Sequence, residues 1–203
     1  MLQGMTTATV KPSKGERTRA AILEEAAQLA TVEGLEGLSI GGLAAATGMS
    51  KSGLYAHFGS KLDLQLATIE AARETFIEEV LRPAFAAPHG RERLLAACEA
   101  FLSHVERRVF PGGCFFVAAA SDVGTHPGPV RDAITAQQRS WDEVLERLAT
   151  EAIERNELPP STNPTQLAFE LHALMAAANN TYILHGDAGV FERARVAIRE
   201  RLR

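Results

Sequence analysis

Small polar and basic side chains are concentrated in residues 39–64, which read S-I-G-G-L-A-A-A-T-G-M-S-K-S-G-L-Y-A-H-F-G-S-K-L-D-L. A helix that enters the major groove of DNA needs a tip of small residues, because its backbone must approach the base edges, and it needs donors for the flanking phosphates. The residues that supply such a tip are Lys51, Ser52, Gly53 and Ala56. The donors that surround it are Ser50, Tyr55, His57 and Lys61. The stretch therefore predicts a helix-turn-helix that reads DNA.

Basic residues outside this stretch extend the same surface. Arg17 and Arg19, at the start of the first predicted helix, are placed to contact the far DNA strand. A helix N-terminus at Lys61 adds the attraction of the helix dipole for a phosphate. Each of these side chains, taken alone, is equally consistent with an ordinary solvated surface. It is their combination at these spacings that predicts DNA binding.

Four predicted helices position these residues. Their approximate ranges are 15–33, 40–47, 51–58 and 61–81. Gly34 is expected to end the first helix, and Ser39 and Ser60 are expected N-caps of the second and fourth. Pro83 is expected to terminate the fourth, because proline has no backbone N–H to donate.

The motif Thr47-Gly48-Met49-Ser50-Lys51-Ser52-Gly53-Leu54-Tyr55-Ala56-His57-Phe58, followed by Ser60-Lys61-x-x-Leu64, resembles the signature of TetR-family transcriptional regulators. The resemblance covers roughly residues 17–64, because Ile22-Leu23-x-x-Ala26-Ala27 lies upstream in register. It implies a homodimeric, all-helical, ligand-responsive regulator, usually a repressor. It also implies phosphate contacts by Ser39, Ser50, Tyr55, His57 and Lys61, and base contacts by Lys51, Ser52 and Gly53.

The second helix departs from the family pattern. Gly41 and Gly42 stand where a polar or acidic pair is usual, and they leave Ser39 without a capping-box partner. Each glycine costs about 1 kcal/mol relative to alanine. We expect this helix to be held by packing, and Gly41→Glu to raise the melting temperature.

The remaining chain predicts longer helices separated by Pro-Gly clusters. Their approximate ranges are 90–109, 114–122, 130–156, 164–185 and 188–202. The predicted fold is therefore all-α with about nine helices: a mobile arm (1–14), a three-helix helix-turn-helix DNA-binding domain (15–61) and a larger effector-binding and dimerisation domain (62–203).

The last two helices are the predicted homodimer interface. One face of the helix 164–185 carries small residues that would let a second helix approach closely. The residues of that face are Phe169, Ala173, Ala176, Asn180 and Leu184. The arginines of the last helix alternate with an apolar stripe, which favours a solvated outer face over a second DNA-binding surface.

In TetR-like proteins the effector lies among the middle helices, so the resemblance implies a pocket lined by inward side chains there. The predicted ligand-binding residues are Phe76, Phe101, Val105, Phe115, Phe116, Trp141, His172, Met175 and Asn179. A core role is the simpler explanation for each apolar member. His172 and Asn179 differ, because polar groups on an apolar helix must find internal partners or a ligand.

The segment around Gly113-Cys114-Phe115, with Pro127-Gly128-Pro129-Val130-Arg131, resembles a C-terminal domain type found in a subset of TetR-like regulators. That resemblance implies no particular effector. Whether Cys114 responds to oxidation stays open at this point, because only a possible helix N-terminus would lower the pKa of its thiol.

Composition supports the same interpretation. The net charge is -4, but residues 1–61 carry six Lys or Arg against five Glu, a net +1, and the remainder carries 15 against 20, a net -5. The N-terminal region is therefore the favourable DNA surface. Two unpaired cysteines and the lack of a long apolar run predict a cytoplasmic protein without a membrane segment.

An enzyme would need a catalytic constellation, and the sequence contains no P-loop, G-x-S-x-G or H-E-x-x-H motif. We expect no catalytic activity, no metal and no cofactor. The expected partners are a double-stranded DNA operator, a second copy of the chain and an unidentified small-molecule effector. The alternative is a DNA-binding dimer without an effector, whose C-terminal domain only dimerises or docks a protein. A cavity of several hundred cubic ångströms would favour the sensor, and a tightly packed domain would favour the alternative.

Overall fold

A computed structural model describes residues 13–125 and 127–203, so the predicted N-terminal arm lies outside the described residues except for Ser13 and Lys14. The described chain consists of helices and turns, without strands. The α-helices are α1 (Lys14–Glu33), α2 (Ile40–Thr47), α3 (Lys51–Tyr55), α4 (Lys61–Phe76), α5 (Arg82–Ala86), α6 (Arg91–Glu106), α7 (Phe115–Val123), α8 (Pro129–Glu154), α9 (Pro164–His185) and α10 (Gly189–Arg201). A π-helical segment, Ile77–Leu81, joins α4 to α5 without a break. The all-α prediction is confirmed.

Pro83 does not end the fourth helix, contrary to expectation, and the helical rod continues to Ala86. The π-helical segment explains why. Its i→i+5 bonds, such as Arg82 N–H to the Ile77 carbonyl, replace the regular ladder just before the proline. The missing N–H of Pro83 therefore falls where the α-helical pattern is already interrupted, and the chain continues instead of stopping.

The same segment keeps one face of the rod in the core. Ala72, Phe76, Val80 and Ala84 are all buried and recur at intervals of four residues. An α-helix has 3.6 residues per turn, so such a series would drift away from the core over three turns. The wider π turn takes up that drift, and the rod stays packed along its length.

The buried apolar side chains of the described residues form one continuous core with two parts. In the first, α1 packs on α2 and α4, and Leu43, Leu54 and Leu64 are fully buried between them. In the second, α8 and α9 pack against each other and on α6, and the aromatic side chains described below fill the centre. Across residues 13–125 and 127–203, no helix is both long enough and apolar enough to cross a membrane.

Candidate DNA interface and effector site

Three serine caps shape the helix-turn-helix. The Oγ atoms of Ser39, Ser50 and Ser60 accept hydrogen bonds from the third residue of α2, α3 and α4, at 3.0, 3.1 and 3.0 Å. Gly48 ends α2 in the left-handed conformation with φ 66°, which glycine adopts without a steric penalty. A capping hydroxyl acts as acceptor and keeps its own proton free, so Ser39 retains a donor for a phosphate. The Ser50 and Ser52 hydroxyls share one hydrogen bond at 3.2 Å, so one of the two retains a donor.

The outer face of α3 carries the predicted recognition side chains. Lys51 and Ser52 are exposed, and Tyr55 is 57% exposed although it is a large aromatic residue. The opposite face buries Leu54 completely, which fixes which side of α3 points outward. His57 lies half-buried just after the helix.

The two arginines of α1 lie on its exposed surface. The guanidinium of Arg19 lies 5.1 Å from the centre of the Phe58 ring, an arrangement that fits a cation–π contact. Arg19 also borders a groove of about 710 Å³ between α1 and α4. The acidic residues of that groove are Glu16, Glu24, Glu70, Glu74, Glu78 and Glu79. This face repels DNA and leaves the α3 side as the favourable approach.

Lys61, a predicted phosphate contact, is held by an internal hydrogen bond. Its Nζ donates to the backbone carbonyl of Glu36 at 2.6 Å and lies 3.4 Å from the Glu36 carboxylate. The N–H of Glu36 in turn donates to the Asp122 carboxylate, at 2.9 Å, on α7. A series of hydrogen bonds thus joins the start of α4 to the end of α7.

The loop that precedes α7 is hydrogen-bonded to α1. The N–H of Gly112 donates to Thr31 Oγ1 at 3.1 Å, and the Gln28 side chain donates to the Val109 carbonyl at 3.1 Å. Gly112 is required here, because a Cβ atom at this position would lie 1.9 Å from the Thr31 carbonyl oxygen. We call the contacts of Gly112, Val109 and Asp122 with the N-terminal helices the interdomain clamp.

Five of the nine predicted ligand-binding residues meet around one cavity. Phe76, Phe101, Phe116, Trp141 and His172 line it. Four further lining residues were not predicted: Cys114, Val117, Gln137 and Gln138. The cavity volume is only about 20 Å³, far below the several hundred cubic ångströms of a preformed effector pocket.

The remaining four predicted ligand-binding residues do not line this cavity. Val105, Phe115 and Met175 are buried in the core. Asn179 is buried too, and its amide oxygen accepts the Cys114 N–H at 2.8 Å, which supplies the internal partner that a polar group on this helix requires.

The cavity is the centre of an aromatic cluster in which two polar groups lack partners. The Phe76 ring makes edge contacts with the Trp141 and His104 rings, at centroid separations of 5.2 and 6.4 Å. The indole N–H of Trp141 and both ring nitrogens of His104 are buried without a hydrogen-bond partner. The Nδ1 of His172, by contrast, lies 2.5 Å from the Asp142 carboxylate.

Comparison with known proteins shows which family this chain belongs to. A family model described as "Bacterial regulatory proteins, tetR family" matches residues 22–68, and one described as "Tetracyclin repressor-like, C-terminal domain" matches residues 90–198. The chain belongs to the TetR family. It is therefore a helix-turn-helix, DNA-binding transcriptional regulator.

Several known proteins are similar to the regulator over most of its length. Over 173 residues the regulator is 25% identical to the HTH-type transcriptional repressor ComR of Escherichia coli strain K12. The aligned region covers 83% of this chain and 82% of ComR. A TetR regulator from Chloroflexus aurantiacus superposes with a TM-score of 0.84 at 30% identity, covering 91% and 93% of the two chains. The structure of AibR with isovaleryl coenzyme A and operator DNA gives 0.71 at 27% identity, covering 89% and 95%.

The last two helices of the regulator present an apolar surface. On α9, Phe169 is 68% exposed and Leu184 is 78% exposed, on the face predicted to pair. Ala173 and Asn180 of that face are exposed and Ala176 is half-buried. Phe169 and Leu184 thus leave the two ends of this face apolar and open to solvent.

The arginines of α10 are occupied by carboxylates within the subunit. Arg195 is the best held, because its guanidinium bonds both Glu99 and Glu106, at 2.8 and 2.7 Å. Arg193, Arg199 and Arg201 pair with Asp187, Glu192 and Glu170. This pattern agrees with a solvated outer face.

Neither cysteine has the surroundings of a redox sensor. Cys98 and Cys114 are both buried and unbridged. Burial raises the pKa of the Cys98 thiol to about 12 and that of the Cys114 thiol to about 11. Because the thiolate is the reactive form, both thiols are inert at neutral pH.

Proposed function

We propose that this TetR-family regulator is a homodimeric repressor that a small molecule releases from a palindromic operator. The domain boundary proposed here lies near residue 61, where α4 begins. The observation that carries the proposal is the position of α7. One end of α7 borders the aromatic cavity through Phe116 and Val117, and its other end is bonded through Asp122 to the turn that holds Lys61.

The proposed homodimer forms through α9. In a twofold dimer the same surface of each subunit meets its copy, so a self-complementary apolar strip is required. The strip of Phe169 and Leu184 meets this requirement, and a groove of about 560 Å³ lies beside it, between α9 and α10. Such a dimer would place its two α3 helices in successive major grooves about 34–36 Å apart.

The proposed response to an effector depends on the interdomain clamp. A change of α7 position at the cavity moves Asp122, and with it the Glu36 turn and Lys61. It also moves Gly112 against the end of α1. An effector must bind the released state more tightly by several kcal/mol, since equal binding to both states shifts nothing.

Leu184→Glu is expected to convert the dimer into monomers, because it buries a carboxylate without a partner in the apolar contact. Light scattering after gel filtration gives the mass. Val32→Glu is the matched control, since Val32 is 66% exposed on α1, outside the strip, and its substitution should leave the mass unchanged. A wild-type protein that is monomeric at micromolar concentration contradicts the dimer.

Lys61→Ala is expected to weaken binding to every DNA sequence and to reduce the slope of log K against log salt by about 0.9, the value for one phosphate contact. Lys51→Ala and Ser52→Ala should instead change which sequences are preferred, by about 1–3 kcal/mol at one base pair. DNA selected by the purified protein from a random pool supplies the operator for fluorescence anisotropy at several salt concentrations. Equal losses on all sequences for all three variants would contradict this division of roles.

Run-off transcription from a promoter that contains the selected operator tests repression. Transcript should fall when the protein is added, and a rise would make it an activator instead.

The second candidate is a DNA-binding dimer without a small-molecule effector. The cavity volume of about 20 Å³ favours it, because no drug-sized molecule fits without rearrangement. A screen of small molecules for release of the selected operator separates the two candidates. Release by a compound supports the sensor, and stable complexes throughout support the second candidate.

A further inference from the structure

The buried polar atoms without partners are concentrated at one place in the described structure. They are His104 Nδ1, His104 Nε2 and Trp141 Nε1. His104 is 1% exposed and Trp141 is 4% exposed, so solvent does not reach them. Both rings pack on Phe76, and Trp141 borders the cavity.

Leaving several buried polar atoms without partners lowers the stability of the folded state. A buried donor without a partner costs about 1–3 kcal/mol, and the great majority of buried polar atoms in proteins are bonded. Burial lowers the pKa of His104 to about 4, so at neutral pH its ring is uncharged, with one donor and one acceptor nitrogen. The cavity has room for about one water molecule, which would bond one donor and leave the other ring unsatisfied.

The cavity wall defines what a ligand must be. Phe76, Phe101, Phe116 and Trp141 form aromatic sides, and Phe101 and Trp141 are stacked with an angle of 17° between their rings. The polar part of the lining consists of the half-buried Gln137 and Gln138 and of His172, whose Nδ1 lies 2.5 Å from the Asp142 carboxylate. The lining contains no Lys, Arg, Asp or Glu, and His172 is already paired with Asp142, so neither an anion nor a cation would find a free charged partner there.

We propose that the effector is an uncharged, planar aromatic molecule that carries a hydrogen-bond acceptor, such as the carbonyl of a ketone or ester. Its acceptor takes the Trp141 indole N–H, and its ring enters the aromatic cluster by displacing the Phe76 ring. This inference rests on the proposed function, since it names the effector of that site.

The position of Phe76 connects this event to DNA binding. Phe76 is the last residue of α4, directly before the π-helical segment. The helix that begins with Lys61 therefore ends at the ring that the ligand displaces. Phe116 belongs to α7, and its ring makes an edge contact with the Phe76 ring at a centroid separation of 6.1 Å. Entry of a ring therefore pushes on both elements that reach the DNA-contacting helices.

Three probes of nearly equal size test the proposal: acetophenone, ethylbenzene and benzoate. Trp141 is the only tryptophan in the chain, so its fluorescence reports occupancy of the cavity directly. We expect acetophenone to shift the emission and to bind about 2–10-fold more tightly than ethylbenzene, the effect of one hydrogen bond. Benzoate should bind more weakly than either.

Trp141→Phe provides the matched variant. It keeps an aromatic ring but removes the N–H, so by calorimetry acetophenone and ethylbenzene should bind it equally. A preference for acetophenone that persists in Trp141→Phe overturns the proposal, and so does a wild-type protein that binds none of the probes or prefers benzoate. Circular dichroism and thermal unfolding check that the variant is folded.

Release of the selected operator distinguishes failure of this inference from failure of the proposed function. Release by a charged compound without a change in Trp141 emission overturns the inference and leaves the ligand-released repressor intact. If no compound in the screen releases the operator, the proposed function itself fails.

Discussion

Gly112→Ala is expected to lower the free energy of unfolding by about 1–3 kcal/mol, the range for overpacking in a well-packed site. A Cβ atom there would lie 1.9 Å from the Thr31 carbonyl oxygen and 2.5 Å from its carbon. Because these are backbone atoms, no rotamer change relieves the clash, and the loop before α7 must separate from α1. Loss of the Gly112 N–H bond to Thr31 Oγ1 adds to the cost.

Urea denaturation measures this effect, and Gly41→Ala is the matched control. A Cβ atom at Gly41 would lie 3.6 Å from the nearest side-chain atom, Lys51 Cε, so alanine fits within α2. It should stabilise the helix by about 1 kcal/mol and raise the melting temperature by about 2–4 °C. Gly41→Glu should do at least as well, because an acidic group in the first turn interacts favourably with the helix dipole. Equal stabilities of Gly112→Ala and the wild type would mean that the clamp does not exist.

Acidification from pH 7 to pH 4 is expected to cost the wild type about 3 kcal/mol through His104 alone. Burial lowers the pKa of this histidine from 6.5 to about 4. Between those values the unfolded chain binds a proton that the folded protein does not, so stability falls as pH decreases through this window. Above pH 6.5 the histidine is neutral in both states and its contribution is constant.

His104→Leu isolates this contribution, because leucine has a similar volume and does not titrate. Urea denaturation at pH 7, 6, 5 and 4 should give a steeper decline for the wild type than for the variant, with the difference developing below pH 6.5. Carboxylates such as Glu70 and Glu170, whose pKa values are lowered by hydrogen bonds from Arg73 and from Gln166, contribute equally to both proteins. Parallel curves would show that His104 does not titrate as described.

The sequence predicted the helix-turn-helix well because its signals are local. Ser39 and Ser60 cap their helices as predicted, and Gly48 ends α2 at the expected position. Ser50 caps α3 in the same way, although only its role as a phosphate donor was predicted. The outward face of α3 follows directly from burial of Leu54. The contacts of these residues with DNA stay predictions.

What the sequence did not reveal depends on contacts between distant residues. Gly112 and Thr31 are 81 positions apart, and Glu36 and Asp122 are 86 apart, so no local pattern indicates the interdomain clamp. The continuation through Pro83 was missed because a proline signal is read locally, whereas the π-helical segment that accommodates it depends on core packing.

The cavity was only partly predicted for a related reason. Aromatic residues on inward helix faces identify a cluster, and Phe76, Phe101, Phe116, Trp141 and His172 do meet. The sequence does not say how tightly such rings interlock, and here they leave room for about one water molecule. Gln137 and Gln138 carried no signal, since glutamine on a long amphipathic helix is ordinarily a surface residue.

The interdomain clamp also bears on how freely this regulator can exchange parts with its relatives. A chimera cut at the start of α4 would join a foreign α1 to a loop whose shape depends on the Gly112–Thr31 approach and on the Gln28 bond to Val109. We therefore expect operator preference to be transferred most simply by exchanging only the outward residues of α3. If the whole N-terminal unit is replaced, the foreign unit must supply equivalents of Gln28, Thr31 and the Glu36 turn.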